Sequence, residues 1–415
     1  MIVLTGGDLV LPDRILANGS LVIDAGRIAA IEPSPRVDPG GATIVDVGDG
    51  YIVPGFIDVH VHGVEGFDTL DAGDPIAAIA SRLPRYGVTA FCPTSVACGP
   101  VALAAMLAHV SRSRAARPSG SARVLAAHLE SNFINPEYRG AQPAECLRRP
   151  PGPAEAGHYV REGNSVRDGE FVREVDFSAR EILDVIAAAR PDVGIVTLAP
   201  ELPGGVDLVR ALTAAGHRVS LGHSGATLDE AMAAIDAGAR HATHLFNRMT
   251  PLTHRAPGIA AAVLAREEVA VEIICDGYHV HPVVARIAVA AKGPARVMAI
   301  TDGTAGSGIA PGSTARLGGR RIRVTDSAAV LDDGTLAGST LTMDRAFRTV
   351  VTALGLSVVD AAIVCATTPA RELGLAGLGV LAPGCVADLV VLDRGFRVRG
   401  TFIAGEQVYR GGVAA

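Results

Sequence analysis

Lysine is almost missing from this chain of 415 residues, and Lys292 is the only one. Any chemistry that needs a lysine must therefore use Lys292 or do without. Aromatic residues are also scarce, at 4%. The net charge of -6 is mild, and no Lys/Arg run or basic patch interrupts it. That argues against nucleic acid and against an anionic membrane surface as partners. No apolar stretch approaches the ~20 residues of a membrane span. The start, Met1 to Ala30, is broken by Asp8, Pro12 and Asp13 and lacks a basic leader, so a signal peptide is not expected. Cys92, Cys98, Cys146, Cys275, Cys365 and Cys385 show no CxxC spacing and read as buried free thiols of a cytoplasmic protein.

What is abundant is small and apolar. Ala, Val, Leu, Gly and Ile dominate, in a chain long enough for one large domain or two. Eight short apolar runs recur: Phe56–Val61, Val88–Pro93, Arg123–Leu129, Val193–Leu198, Arg218–Leu221, His241–Leu245, Val269–Cys275 and Arg296–Thr301. Each is followed by an Ala-rich helical pattern. Strands apolar on both faces and alternating with helices signal a parallel sheet, and eight units fit an α/β (β/α)8 TIM-like barrel. An open doubly wound sheet is disfavoured, because no Gly-rich dinucleotide fingerprint follows the first strand.

The ends have a different texture, with short strands separated by Gly and Asp. Residues 1–50 and 386–415 are expected to pair into one small β-sandwich domain around a barrel of residues 51–385, and residues 315–330 to add strands to it. A Gly-, Glu- and Arg-rich stretch at about 150–175 reads as an insertion between the third and fourth strands. Asp168-Gly169 could turn a hairpin there, and few apolar anchors point to disorder rather than a lid.

The chemistry gathers at strand ends. His60 and His62 end the first run, and alternation aims both imidazoles to one face. His128-Leu129-Glu130 ends the third, His223 follows the fifth, and Thr243–Asn247 ends the sixth. Asp276–His279 ends the seventh and Thr301-Asp302 the eighth. In a barrel these ends form one rim, and histidines converging there with Glu and Asp suit a divalent metal and its water.

These phrases resemble the amidohydrolase superfamily and, within it, the N-acetylglucosamine-6-phosphate deacetylases. The resemblance rests on Pro54–Gly63, His128–Glu130, Val196–Glu201, Val219–Ser224, Ala242–Asn247 with Met249, His254–Gly258, Asp276–Pro282, Thr301-Asp302, Gly334–Ser339 with Leu341–Asp344, and Leu381–Val390. They run in family order over nearly the whole chain except the insertion. The resemblance implies metal ligation by Glu130, His223 and His244, with His60 and His62 as a second-metal pair. It implies one or two ions, with zinc first and iron or another transition metal as the other option. Asp302 would be the general base, and His279 a sugar-hydroxyl contact. Asn247 and Arg248 would meet substrate near its phosphate. Arg255 would reach the phosphate of a neighbouring subunit in a homodimer. The implied reaction is deacetylation of N-acetyl-D-glucosamine 6-phosphate in amino-sugar catabolism. Lys292 precedes the eighth strand instead of ending a strand, so superfamily members with a metal-bridging carboxylated lysine are a poorer match, and Glu130 is left as the carboxylate ligand.

Two phrases depart from the family. Glu130-Ser131-Asn132-Phe133 stands where Glu-Gly-Pro-Phe is usual. Gly140-Ala141-Gln142 stands where Gly-Ala-His is usual, so Gln142 occupies the place of a histidine that polarises the acetyl carbonyl. An amide donates hydrogen bonds but is never cationic. The alternatives are an N-acetylgalactosamine-6-phosphate or N-acyl amino acid deacetylase, a nucleobase aminohydrolase, or a catalytically impaired homologue.

Overall fold

The computed structural model describes residues 1–33, 41–151 and 176–411, and the short stretches 166–168 and 171–173. Most of the expected insertion, 150–175, lies outside the described residues. The two short stretches pair antiparallel, with Asp168 opposite Phe171; Gly169 of the expected turn is not described.

Eight parallel strands form the barrel: β1 (Phe56–Val61), β2 (Val88–Ser95), β3 (Ala127–Glu130), β4 (Val193–Leu198), β5 (Arg218–Leu221), β6 (His241–Ala242), β7 (Ala270–Ile274) and β8 (Val297–Ile300). They neighbour one another in chain order, with Arg123–Val124 adding a short strand beside β2. All are almost fully buried, as runs apolar on both faces require. A helix follows each strand; the helices after β3 and β5, Ala179–Ala188 and Leu228–Asp236, start with reciprocal Ser178/Glu181 and Thr227/Glu230 capping boxes.

The first and last strands meet at a seam. Asp302 N donates to His60 O at 3.0 Å, and His62 N to Gly303 O at 2.8 Å. Below them the buried Asp58 carboxylate accepts from Thr301 Oγ1 at 2.6 Å. Burial pushes the Asp58 carboxyl up to about 7, against the lowering effect of the Thr301 bonds.

Both chain ends build the small β-sandwich, which also takes in Tyr51–Pro54 from the start of the segment expected to be barrel. One sheet runs in the spatial order Arg27–Glu32, Ser20–Asp24, Ile2–Thr5, Thr43–Asp46; the other runs Glu406–Arg410, Val398–Ile403, Leu389–Leu392, Tyr51–Pro54, Asp8–Val10, Ile15–Leu16. Leu4, Leu9, Leu21, Ile28, Ile52, Leu389 and Phe402 fill the space between them, each contributing roughly 1.5–3 kcal/mol by burial. Asp388 clasps the two parts: it takes a two-pronged pair from Arg123 at 2.9 and 3.1 Å and the N–H of Ala404 at 2.7 Å.

Two expectations need correction. Residues 314–330 do form strands, but as a separate three-stranded antiparallel sheet that leaves the sandwich sheets without them. The sixth strand stops at Ala242 instead of reaching Leu245. His244 and Phe246 take φ of 31° and 75°, which is incompatible with strand geometry, and the chain turns there.

Candidate active site

Glu130 ends β3 at the centre of the rim. Its Oε1 lies 2.8 Å from His223 Nε2 and 2.8 Å from His244 Nε2. The same carboxylate faces the other pair, with His60 Nε2 3.8 Å from Oε1 and His62 Nε2 3.5 Å from Oε2. Asp302 closes the ring: its Oδ1 is 3.4 Å from His60 Nε2 and 3.3 Å from His62 Nε2. Asp302, His223 and His244 all adopt left-handed φ, between 31° and 49°. Strain of this kind persists only where the surroundings over-determine it. Gly338 makes room for Asp302, since a Cβ there would sit 2.8 Å from Asp302 O.

The rings are fixed from behind by different partners. His223 Nδ1 lies 2.8 Å from Tyr138 O. His60 Nδ1 lies 3.0 Å from Glu272 Oε2, on β7. The Nδ1 atoms of His62 and His244 are buried without a partner among the described residues.

Electrostatics make the site hungry for cations. Burial alone would lower the His62 pKa, but the bonds and charges of Asp302 and Glu130 outweigh it and push His62 up to about 10. Against the same burial, Glu130 lifts His244 to about 9. Burial tends to raise the Glu130 pKa, yet the His223 charge and the bonds from His223, His244 and His62 hold it well below the usual carboxylate range. Asp302 is likewise lowered, by the His60 charge and the His62 bond against burial. Without a metal, protons would have to supply the positive charge.

Among the described residues, three sets of ligand-type side chains bring their donor atoms within 4.8 Å: Glu130/His223/His244, His60/His62/Glu130, and His60/His128/Glu272. The first two present atoms to the pocket and fit a divalent ion with N/O ligands. The third does not, because both His128 nitrogens are already engaged, by Val59 O at 3.0 Å and Thr197 Oγ1 at 2.8 Å.

One pocket gathers His62, Glu130, Gln142, His223, His244, Asn247, Arg248, His279 and Asp302, with His60 buried beneath. Asp276 orients His279, its Oδ2 2.6 Å from the ring Nδ1. Asn247 Nδ2 donates to His244 O at 3.2 Å. Gln142 does not stand free. Its Nε2 donates to Glu130 Oε2, and its Oε1 accepts from Ala97 N at 2.7 Å. Arg255 is exposed on the loop before helix Gly258–Ala265 and lies outside this pocket. A larger cavity of about 400 Å³, between residues 69–73 and helix Pro100–Ala115, contains none of the expected ligands.

The amidohydrolase family model matches residues 51–408. This chain is an amidohydrolase. Its relatives include the N-acetylglucosamine-6-phosphate deacetylase of Bos taurus, 37% identical with 98% of this chain and 94% of the relative covered. The N-acetylgalactosamine-6-phosphate deacetylase of Escherichia coli O157:H7 is 32% identical, with 97% and 98% covered. Among solved structures, a point mutant of the Mycobacterium smegmatis N-acetyl-D-glucosamine-6-phosphate deacetylase, in complex with N-acetyl-D-glucosamine-6-phosphate, superposes with a TM-score of 0.83 at 33% identity, covering 98% of this chain and 99% of that one.

Sequence reading missed two groups in this amidohydrolase. Glu201 joins three rim loops through Asn135 Nδ2 (2.9 Å), Ser224 Oγ (2.7 Å) and Gly225 N (2.6 Å). Glu272 sits inside an apolar strand run. A lone carboxylate there was the available signal, because a buried charge is costly unless it serves a partner.

Proposed function

We propose that this amidohydrolase removes acetate from N-acetyl-D-glucosamine 6-phosphate, leaving D-glucosamine 6-phosphate. The observation that carries the reading is Glu130 set between two histidine pairs, with Asp302 facing it across one pocket. The relative at 37% identity carries the gluco epimer in its name, which puts that epimer ahead of the galacto form.

The residues fit two divalent ions, zinc first given the imidazole and carboxylate donors. Glu130, His223 and His244 would hold one; His60 and His62, sharing Glu130, would hold the other. Charge supports this. Glu130, Asp302 and Glu272 are buried, and among the described residues their ion-pair partners are histidines alone. Buried carboxylates without compensation are costly. When bound, such a metal lowers the pKa of water and polarises the amide carbonyl.

Asp302 does the proton work. Its depressed pKa keeps it a carboxylate at neutral pH, ready to accept a proton from the attacking water. The same carboxyl then returns that proton to the nitrogen, because an amide nitrogen leaves as an amine only when protonated. His279, held by Asp276, offers its other ring nitrogen to a sugar hydroxyl. Asn247 and Arg248 face the phosphate end. Gln142 donates to Glu130, and a metal held there would supply the carbonyl polarisation usual for a histidine at that place.

Arg255 serves a second copy of the chain. Its exposed loop includes Leu252, and Tyr278, Val283, Val284 and Ile287 are further exposed apolar side chains suited to a homodimer face. The free thiols and the sugar-phosphate substrate agree with a cytoplasmic setting. No helix among the described residues is long and apolar enough to cross a membrane.

Acetate release from a panel of N-acetyl sugars, with and without phosphate, tests the reading. The phosphorylated amino sugar should be the best substrate. Arg255→Ala should raise KM for it by about tenfold or more, as loss of a two-pronged guanidinium–phosphate contact implies, and change the unphosphorylated sugar little. Faster turnover of an N-acyl amino acid or a nucleobase would sink the proposal.

A further inference from the structure

We infer that Glu272 is a positioning residue for the His60/His62 half of the site, fixing the His60 ring with Nδ1 protonated and Nε2 bare. The inference rests on the metal reading above and assigns a role to a residue outside the ligand sets that reading uses. Glu272 lies in the middle of β7 with its side chain fully buried inside the barrel. Its Oε2 is 3.0 Å from His60 Nδ1. An ionised carboxylate only accepts, so the proton of that bond belongs to His60 Nδ1. The lone pair then sits on Nε2, which is 3.2 Å from His62 Nε2 and 3.4 Å from Asp302 Oδ1. His60 Nε2, His62 Nε2 and Asp302 Oδ1 therefore converge at one point, an arrangement a cation satisfies in place of a proton on His62.

The remaining contacts make the case sharper. Oε2 also lies 3.4 Å from the backbone N of His244, a long contact that leaves the His244 ring untouched. Glu272 Oε1 is buried with no hydrogen-bond partner among the described residues. The imidazole facing it, His128, is 3.7 Å away and already gives its Nδ1 proton to Val59 O at 3.0 Å. Among the described residues His60 is thus the side chain that Glu272 holds by a short hydrogen bond, with His128 farther off and committed elsewhere. Outer carboxylates of this kind hold a ligating histidine in one tautomer and raise its basicity. His223 has only a neutral carbonyl, Tyr138 O, in the equivalent place. A merely structural Glu272 would tie β7 to β1 and matter equally to every ligand. A positioning Glu272 matters to one half.

The test uses the full-length protein, Zn²⁺ as the probe, and two variants. Glu272→Gln keeps an acceptor oxygen and removes the charge; Glu272→Met removes both at similar volume. Zinc per chain is measured across buffered free Zn²⁺. Melting temperature is recorded alongside, and histidine side-chain ¹H–¹⁵N spectra report the His60 tautomer. The parent should bind two zinc ions. Glu272→Met should weaken one of them by ~10–100-fold, leave the other unchanged, and release His60 from its single tautomer. Glu272→Gln should keep the Nδ1–H tautomer with a smaller loss. Unchanged binding of both ions together with an unchanged tautomer in Glu272→Met would overturn the assignment. So would equal loss of both ions with a collapsed melting temperature. A parent that binds no zinc would defeat the metal reading instead, and the His60 tautomer in the same samples would still decide the role of Glu272.

Discussion

The two halves of the site share Glu130 but hold their histidines in different ways. His223 and His244 stand on neighbouring strand ends, β5 and β6, and the rear support of His223 is a loop carbonyl at 2.8 Å. His60 and His62 stand at the seam where β1 meets β8, and the rear support of His60 is a buried carboxylate at 3.0 Å. One half leans on neutral backbone, the other on charge. A neutral support sets geometry and tolerates an empty site. A charged support in a dry interior makes an empty site expensive, because only protons on the histidines are then left to offset it. The difference teaches that two clusters of similar ligands can depend on an ion to different degrees.

The strongest way to break this contrast is Glu130→Gln, which removes the group common to both halves. Metal should be lost from both, and turnover should fall by more than ~10⁴-fold, beyond the range of a lone general base. Elemental analysis that finds one ion still fully bound would show that the halves are independent. Asp302→Asn comes next. It should retain both ions and reduce kcat by ~10²–10⁴-fold, the usual effect of removing a general base. Loss of one ion in that variant would move Asp302 into the seam half as a ligand.

The smallest effect is on pH-dependent stability. In metal-free protein His62 is raised to about 10 and His244 to about 9, from an ordinary 6.5. A raised histidine pKa gives stability that is fully present below 6.5 and lost as pH climbs through the folded value. The melting temperature of metal-free protein should therefore fall between about pH 6.5 and 10. The metal-saturated form should stay flat across that window, because its ligands are already deprotonated. Identical pH profiles for the two forms would mean that these histidines carry no protons when the metal is absent.

Much of the barrel and of its rim is legible in the sequence. The barrel strands announce themselves because parallel strands buried on both faces are continuous apolar runs, and a His, Glu or Asp just after such a run has no packing reason to be there. Glu272 escaped because it lies inside its run, Ala270–Ile274, where the surrounding Val and Ile mask one carboxylate. Gln142 was visible as a departure, but its partners Glu130 and Ala97 are 12 and 45 residues away, and only folding brings them together. The early end of β6 depends on the positive φ at His244 and Phe246; His is one of the residue types enriched there, but Phe is not, and an apolar Phe in the run reads as strand.

The seam also ties function to biosynthetic order. His60 and His62 emerge early in synthesis, whereas Asp302, whose N–H closes the barrel onto His60 O, follows about 240 residues later. At ~5–20 residues per second that is a delay of roughly 12–48 s. During it the nascent chain has acquired histidines and Glu130 but neither the closing bonds nor Asp302. A chain that stops short of Asp302 therefore holds the first barrel strand without its partner at the seam, and the proposed site is incomplete until those bonds form.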